Sequence, residues 1–184
     1  MLKNLQKQDY KQIMTKLIPI ISAEEIQKQI KKVAESLSKD YNGKQMVLVG
    51  ILKGSFIFLA DLTRHISIEH EIDLVGTSSY SGTETTGTIN FTKMPDIQLE
   101  GKDILIVEDI VDTGTTLASL VKYFKTLKPA SVKICTLINK NERREFSLDI
   151  DYSCFQIEKG FLVGYGLDYN EKYRNLPAIF DLKF

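Results

Sequence analysis

Glu108, Asp109 and Asp112 fall within five positions of one another, and Thr113-Gly114-Thr115-Thr116 follows at once. Carboxylates accept hydrogen bonds from vicinal hydroxyls and hold hard divalent cations. Small hydroxyl residues around a glycine do a different task. Their hydroxyls and backbone N–H groups seat an anion, above all where the run enters a helix whose N-terminal end carries partial positive charge. Gly114 lets the backbone come close to such a ligand without a Cβ in the way.

Acids repel a phosphate, so the two halves of this segment need one ligand that satisfies both. A ribose with a 5-phosphate, beside a metal-bound pyrophosphate, does so. The plainer alternative is a solvated acidic turn in which Asp112 merely caps a helix. The surrounding elements argue against it. Asp103 to Val107 (DILIV) is a buried-type strand, and Leu117 to Leu127 has helical periodicity, broken at Lys128-Pro129. Ser131 to Ile138 is a further strand. An earlier unit has the same form. Ser22 and Glu25 have capping-box spacing, and Ile26, Ile30, Val33 and Leu37 mark one helix face up to a turn at Tyr41-Asn42-Gly43. Met46 to Leu52 (MVLVGIL) reads as a strand covered on both sides, then Lys53-Gly54-Ser55 leads into a helix from Phe56 to Ile66. Such alternation predicts an α/β fold with a central parallel sheet flanked by helices, whose strand ends hold ligands.

Between the units, Ile72 to Tyr80 and Ile89 to Met94 read as strands. They are joined by Ser81 to Thr88, which holds two glycines, four threonines and no apolar residue. This is a mobile hairpin loop or a lid. No linker precedes the strand-rich tail, so one domain is expected, with its core at about 22–150 and a small hood from the N-terminal segment and 151–184.

Hydrophobic residues are 43% of the 184, enough for a sizeable core. Lys plus Arg equals Asp plus Glu, 24 each, which argues against a nucleic-acid partner. The N-terminus lacks a signal-peptide pattern, and no apolar run approaches the ~20 residues of a membrane span. Cys135 and Cys154 lack partners at metal-ligand spacing and read as reduced core thiols of a cytoplasmic protein; His65 and His70 read as surface or edge residues.

The stretch Ile104 to Leu117, a strand followed by Glu-Asp, Asp-Thr-Gly-x-Thr and a helix, closely resembles the signature of the type I phosphoribosyltransferases. The resemblance implies a hood and a flexible β-hairpin lid around the core. It implies that Glu108 and Asp109 hold the ribose diol and Mg²⁺, and that Asp112, Thr113, Gly114, Thr115 and Thr116 hold the 5-phosphate of phosphoribosyl pyrophosphate. Lys53-Gly54-Ser55 resembles the pyrophosphate loop, in which relatives often carry a cis peptide before the lysine, and Arg174 matches a pyrophosphate-contacting arginine. Ser79-Tyr80 resembles the Ser-Tyr of the closing lid. Lys140 stands where hypoxanthine-guanine enzymes read the purine 6-oxo group, and Phe161-Leu162 with Asp168 looks like their base-binding stretch. Asp168 is also implied as a ligand to metal-bound water. One departure is Glu158-Lys159-Gly160, where relatives commonly carry proline and two polar residues; a looser base pocket is the expectation.

The implied reaction is purine salvage: N9 of hypoxanthine or guanine displaces pyrophosphate at C1 of the ribose, with Asp112 as general base. The implied assembly is a homodimer or homotetramer. Alternatives are a xanthine-preferring enzyme, or a nucleotide-sensing regulator of the same fold that binds RNA or DNA. Asp112-Thr113-Gly114 also matches the aspartic-protease triplet, but such an enzyme needs two and the chain has one. The P-loop and the three-glycine dinucleotide fingerprint are both lacking.

Overall fold

The structure is a computed structural model, and it describes residues 16–78, 90–146 and 148–184. Ser79, Tyr80 and the loop from Ser81 to Thr88 lie outside the described residues, as does the N-terminal segment before Lys16.

The main sheet has six strands. They are β2 (Met46–Leu52), β3 (Glu71–Ser78), β4 (Asn90–Lys93), β5 (Asp103–Val111), β6 (Ser131–Asn139) and β7 (Tyr152–Gln156), in the order β4-β3-β2-β5-β6-β7. All neighbours are parallel except β3 and β4. Helices α1 (Ala23–Asp40) and α2 (Phe56–His65) cover one face, and α3 (Thr115–Thr126) covers the other. The alternation of side chains along β5 explains both layers. Leu105 and Val107 pack with Ile26, Ile30, Phe58 and Leu62, while Ile104 and Ile106 pack with Leu120 and Phe124. Each such fully buried side chain contributes roughly 1.5–3 kcal/mol.

The capping box forms as expected. The Glu25 N–H donates to Ser22 Oγ at 3.2 Å, and the Ser22 N–H donates to Glu25 Oε2 at 2.9 Å. Two strand limits differ from the expectation. β5 runs four residues past Val107, because backbone pairing with β6 continues at Ile110↔Ile138 and Val111↔Asn139. Glu108 and Asp109 therefore belong to the strand itself. β7 joins the main sheet beside β6, so that sheet takes in residues up to Gln156. The smaller sheet is β1 (Lys16–Ile21), β9 (Ile179–Lys183) and β8 (Leu162–Val163), in the order β1-β9-β8.

Chain direction across the sheet places the site. From β2 the chain crosses through α2 to β3 on one side, and from β5 through α3 to β6 on the other. Strand order thus reverses between β2 and β5, and a crevice opens at their carboxyl ends. The register pairs Gly50 with Val107, so the residues after Leu52 and those from Glu108 onward rise side by side into it.

Candidate active site

A cleft of about 340 Å³ lies there, lined by Ile51, Leu52, Thr77, Glu108 and the run from Ile110 to Leu117. Its floor is acidic. Burial pushes the Glu108 carboxyl well above the usual carboxylate range, and the charge of Asp109 adds to it. Burial also raises Asp109, against the pull of hydrogen bonds from Glu108 and the Ile110 N–H (2.8 Å) and the more distant charge of Arg174. Such a pair is relieved by a shared proton or by a nearby cation.

At the far wall α3 begins without a side-chain cap. Its N-cap is Gly114 at φ 83°, a left-handed conformation that suits glycine and that supplies no side-chain cap; Thr113 Oγ1 accepts from the Thr115 N–H only at a long 3.4 Å. The contrast with the fully capped α1 is the informative point, since an uncapped helix start in a cleft leaves N–H donors for an anion. Thr113 and Thr115 bring their hydroxyls to 3.2 Å of each other beside it.

Asp112 stands between the acids and this helix. Its Oδ2 pairs with Arg143 and lies 3.9 Å from Lys140 Nζ. Its Oδ1 is buried and meets no donor among the described residues. Lys140 is itself only 4% exposed and donates to the Gly160 carbonyl at 3.1 Å. The segment in which the departure Glu158-Lys159-Gly160 suggested looseness is therefore tied down twice, because the Phe161 N–H also donates to Asp181 Oδ1 at 3.0 Å.

Over β2's end the Leu52–Lys53 peptide is cis. Gly54 lies directly on Asp109: a Cβ there would meet Asp109 Oδ2 at 1.8 Å. Ser55 departs from the expectation. Its N–H (3.3 Å) and its hydroxyl (2.7 Å) both donate to the Ile51 carbonyl, so it braces the loop and has no donor left for a ligand. Lys53 and Arg174 come together through Glu171 Oε2, at 3.1 Å and 3.3 Å. Arg174 also pairs with Asp168 at 2.8 Å.

Asp168 also accepts the Glu171 N–H at 2.9 Å, and among the described residues no three His, Cys, Asp or Glu side chains gather as a metal cage. Leu162 sits in β8 with its side chain in the core, leaving its backbone as the part that can face a base. Phe161 is 43% exposed, with Tyr169 and Phe184 edge-on at 5.5 and 5.7 Å. His65 and His70 do not line the cleft, and Cys135 and Cys154 are buried free thiols.

Sequence reasoning missed Arg144. It donates to the Val111 carbonyl (3.1 Å), Asn139 Oδ1 (2.6 Å) and the Lys140 carbonyl (3.1 Å), stapling the ends of β5 and β6. It sits in the polar run Asn141-Glu142-Arg143-Arg144, where no spacing or motif sets it apart.

A family model described as the phosphoribosyl transferase domain matches residues 21–170. The chain belongs to the phosphoribosyltransferase family. It is 48% identical over 165 residues to the hypoxanthine-guanine phosphoribosyltransferase of Streptococcus pneumoniae, covering 89% of this chain and 92% of that one. Among solved structures it is similar to a hypoxanthine phosphoribosyltransferase from Staphylococcus aureus, with a TM-score of 0.86, 44% identity and 90% of each chain covered. A hypoxanthine-guanine phosphoribosyltransferase from Bacillus anthracis superposes with the same TM-score at 43% identity, over 92% of this chain and 99% of that one. As in other open α/β sheets, this phosphoribosyltransferase presents its cleft where strand order reverses.

Proposed function

We propose that the protein transfers the 5-phosphoribosyl group of phosphoribosyl pyrophosphate to N9 of hypoxanthine and guanine, releasing pyrophosphate. The observation that carries this reading is the cleft at the end of β5: Glu108, with the buried Asp109 packed beside it, lines the same cleft as a helix start to which Gly114 gives no side-chain cap. Family membership supplies the reaction class, and the names of the relatives point to the purine.

In this reading Glu108 and Asp109 accept hydrogen bonds from the ribose 2- and 3-hydroxyls. The Thr113 to Thr116 N–H groups and hydroxyls hold the 5-phosphate. Lys53, the Gly54 backbone and Arg174 hold the pyrophosphate. Lys140 donates to the purine 6-oxo group, Phe161 stacks on the ring, and the backbone at Leu162 together with Asp168 meets its edge. As N9 forms its bond to C1, the C1–oxygen bond to pyrophosphate breaks and the N7 proton passes to Asp112, whose unpartnered Oδ1 is a ready acceptor. Fixed donors around the departing group stabilise the transition state without reorganising.

The donor set fits Mg²⁺. Two crowded carboxyls at one place, with no third among the described residues, suit an ion that completes its shell with substrate oxygens. Glu108 and Asp109 would hold it, with Asp168 reaching it through water, and when bound it supplies charge neutralisation to the pyrophosphate.

Core and hood read as a single domain, since one hydrophobic cluster contains Ile21, Leu162 and Ile179 together with Ile26, Leu48 and Leu105. A homodimer or homotetramer in the cytoplasm is part of the proposal. Among the described residues no helix is long and apolar enough to cross a membrane.

The test is incubation with phosphoribosyl pyrophosphate, Mg²⁺ and, separately, hypoxanthine, guanine, xanthine, adenine or uracil. Nucleoside monophosphate is expected from the first two. Turnover of xanthine alone, or RNA binding with no turnover, would replace the reading.

A further inference from the structure

Gly164, Tyr165 and Gly166 have φ of 98°, 51° and 100°. Three successive residues in the left-handed half of backbone space are uncommon, and a tyrosine there more so. Such a strap needs outside support to hold its shape. Its backbone bonds are local: Gly164 and Leu167 exchange two (3.0 and 3.1 Å), the Tyr165 N–H donates to the Leu176 carbonyl (2.8 Å), and the Gly166 N–H to the Arg174 carbonyl (2.9 Å). The tie to the helical layer is the Tyr165 side chain. It is 5% exposed, and its hydroxyl donates to Asp61 Oδ2 on α2. Gln27 of α1 donates to the same oxygen at 2.7 Å, and Arg64 pairs with Oδ1.

The strap's other side meets the pyrophosphate loop. A Cβ on Gly166 would stand 2.2 Å from the Gly54 carbonyl oxygen, so the two backbones are in contact. The Gly166 carbonyl in turn accepts from Arg174 Nη1 at 2.7 Å. Gly54 leads straight into α2, whose second turn carries Asp61. The chain thus forms a closed frame: Gly54 to α2, α2 through Asp61 to Tyr165, and Tyr165 through Gly166 back to Gly54.

We infer that Asp61 and Tyr165 are positioning residues for the pyrophosphate seat, their hydrogen bond fixing where Gly166 and Arg174 stand over Gly54. The inference rests on the proposed reading of Lys53, Gly54 and Arg174 as that seat. The hydroxyl touches no substrate. It acts on the strap, and the strap carries the guanidinium. The base-stacking Phe161 lies before the frame and is fastened separately to Asp181. A strap released from Asp61 therefore disturbs pyrophosphate more than purine.

Calorimetric titration of magnesium pyrophosphate into the full-length wild type and Tyr165→Phe, with the Michaelis constant for hypoxanthine measured beside it, tests this. Tyr165→Phe is expected to weaken pyrophosphate roughly fivefold while the hypoxanthine constant stays within about twofold. Asp61→Ala should weaken pyrophosphate at least as much, and the double variant should be no worse than Asp61→Ala, because Tyr165→Phe removes only a bond that Asp61→Ala has already removed. The Asp61→Ala titration keeps the test decisive should the tyrosine variant fail to fold. Unchanged pyrophosphate affinity in a folded variant, equal losses for purine and pyrophosphate, or additive losses in the double variant would overturn the inference. Absence of pyrophosphate binding in the wild type would instead sink the seat reading, and the inference with it.

Discussion

Gly54→Ala isolates the contact between the pyrophosphate loop and the acid pair. Gly54 has no positive φ, so alanine can take its backbone conformation without strain and the effect belongs to the added methyl alone. That methyl would stand 1.8 Å from Asp109 Oδ2 and 2.4 Å from Asp109 Cγ, while Cβ atoms essentially never come within 3.0 Å of a neighbour. Either the loop lifts or the carboxylate swings, by at least about 1.2 Å. The Ile110 N–H holds Asp109 Oδ1 at 2.8 Å, so the carboxylate is not free to swing, and the loop takes much of the shift. A misplacement near 1 Å in a site that works by positioning lowers the rate about 100-fold. The expected outcome is a fall of that order in kcat/KM for phosphoribosyl pyrophosphate. It is read from initial rates of nucleotide formation at saturating hypoxanthine, with circular dichroism showing the fold retained. A folded variant within twofold of wild type would refute the claim that Gly54 and Asp109 act on one ligand.

Other outcomes follow from the same geometry. Asp112→Asn should remove most turnover, ~100-fold or more, yet spare phosphoribosyl pyrophosphate binding; unchanged kcat would exclude Asp112 as the base. Lys140→Ala should raise the Michaelis constant for the purine by roughly tenfold and leave that for phosphoribosyl pyrophosphate within twofold, measured by varying each substrate in turn. Glu108 and Asp109 have raised folded pKa values, so the native state holds their protons more tightly than the unfolded chain does, and ionising them takes stability away. The ligand-free protein should lose stability as pH rises above the usual carboxylate range, and Glu108→Gln should raise its melting temperature at neutral pH by a few degrees while abolishing substrate binding; a lowered melting temperature would contradict the burial argument. Asp73 has the opposite sign. Burial works to raise it, but the N–H groups of Ile97, Leu74 and Asp96, with Lys93, outweigh that and hold it below its usual value. The stability it gives is full above the ordinary aspartate range and is lost as pH falls through its folded value, so Asp73→Asn should flatten the acid limb of a pH–melting curve.

Much of this arrangement is legible in the amino-acid sequence. Ser22 and Glu25 marked a helix start by local chemistry alone, and MVLVGIL marked β2 because a strand covered on both faces has no polar position. The acids, the Thr-Gly-Thr-Thr turn and α3 stood in the order that a crevice at a strand end demands. What escaped was decided by partners distant in sequence. Glu108 and Asp109 ended the apolar run of β5, yet pairing with β6 carries the strand to Val111, and only the neighbouring strand reveals that. Arg143 and Arg144 carry no motif of their own, and only the fold sets the Asp112 carboxylate beside the one and the carbonyls of Val111 and Lys140 beside the other. Ser55 looked like a ligand because its neighbours did, and the Ile51 carbonyl takes both its donors instead. Phe184, far from Phe161 in sequence, meets it only because β9 pairs with β8.

The central claim is that the end of β5 holds a sugar diol and a phosphate side by side. A crystal structure with magnesium phosphoribosyl pyrophosphate tests it directly. The account requires the ribose hydroxyls on the carboxylates of Glu108 and Asp109 and the 5-phosphate against the N–H groups of Thr113 to Thr116. A ligand seated elsewhere, with those groups left facing water, would contradict it.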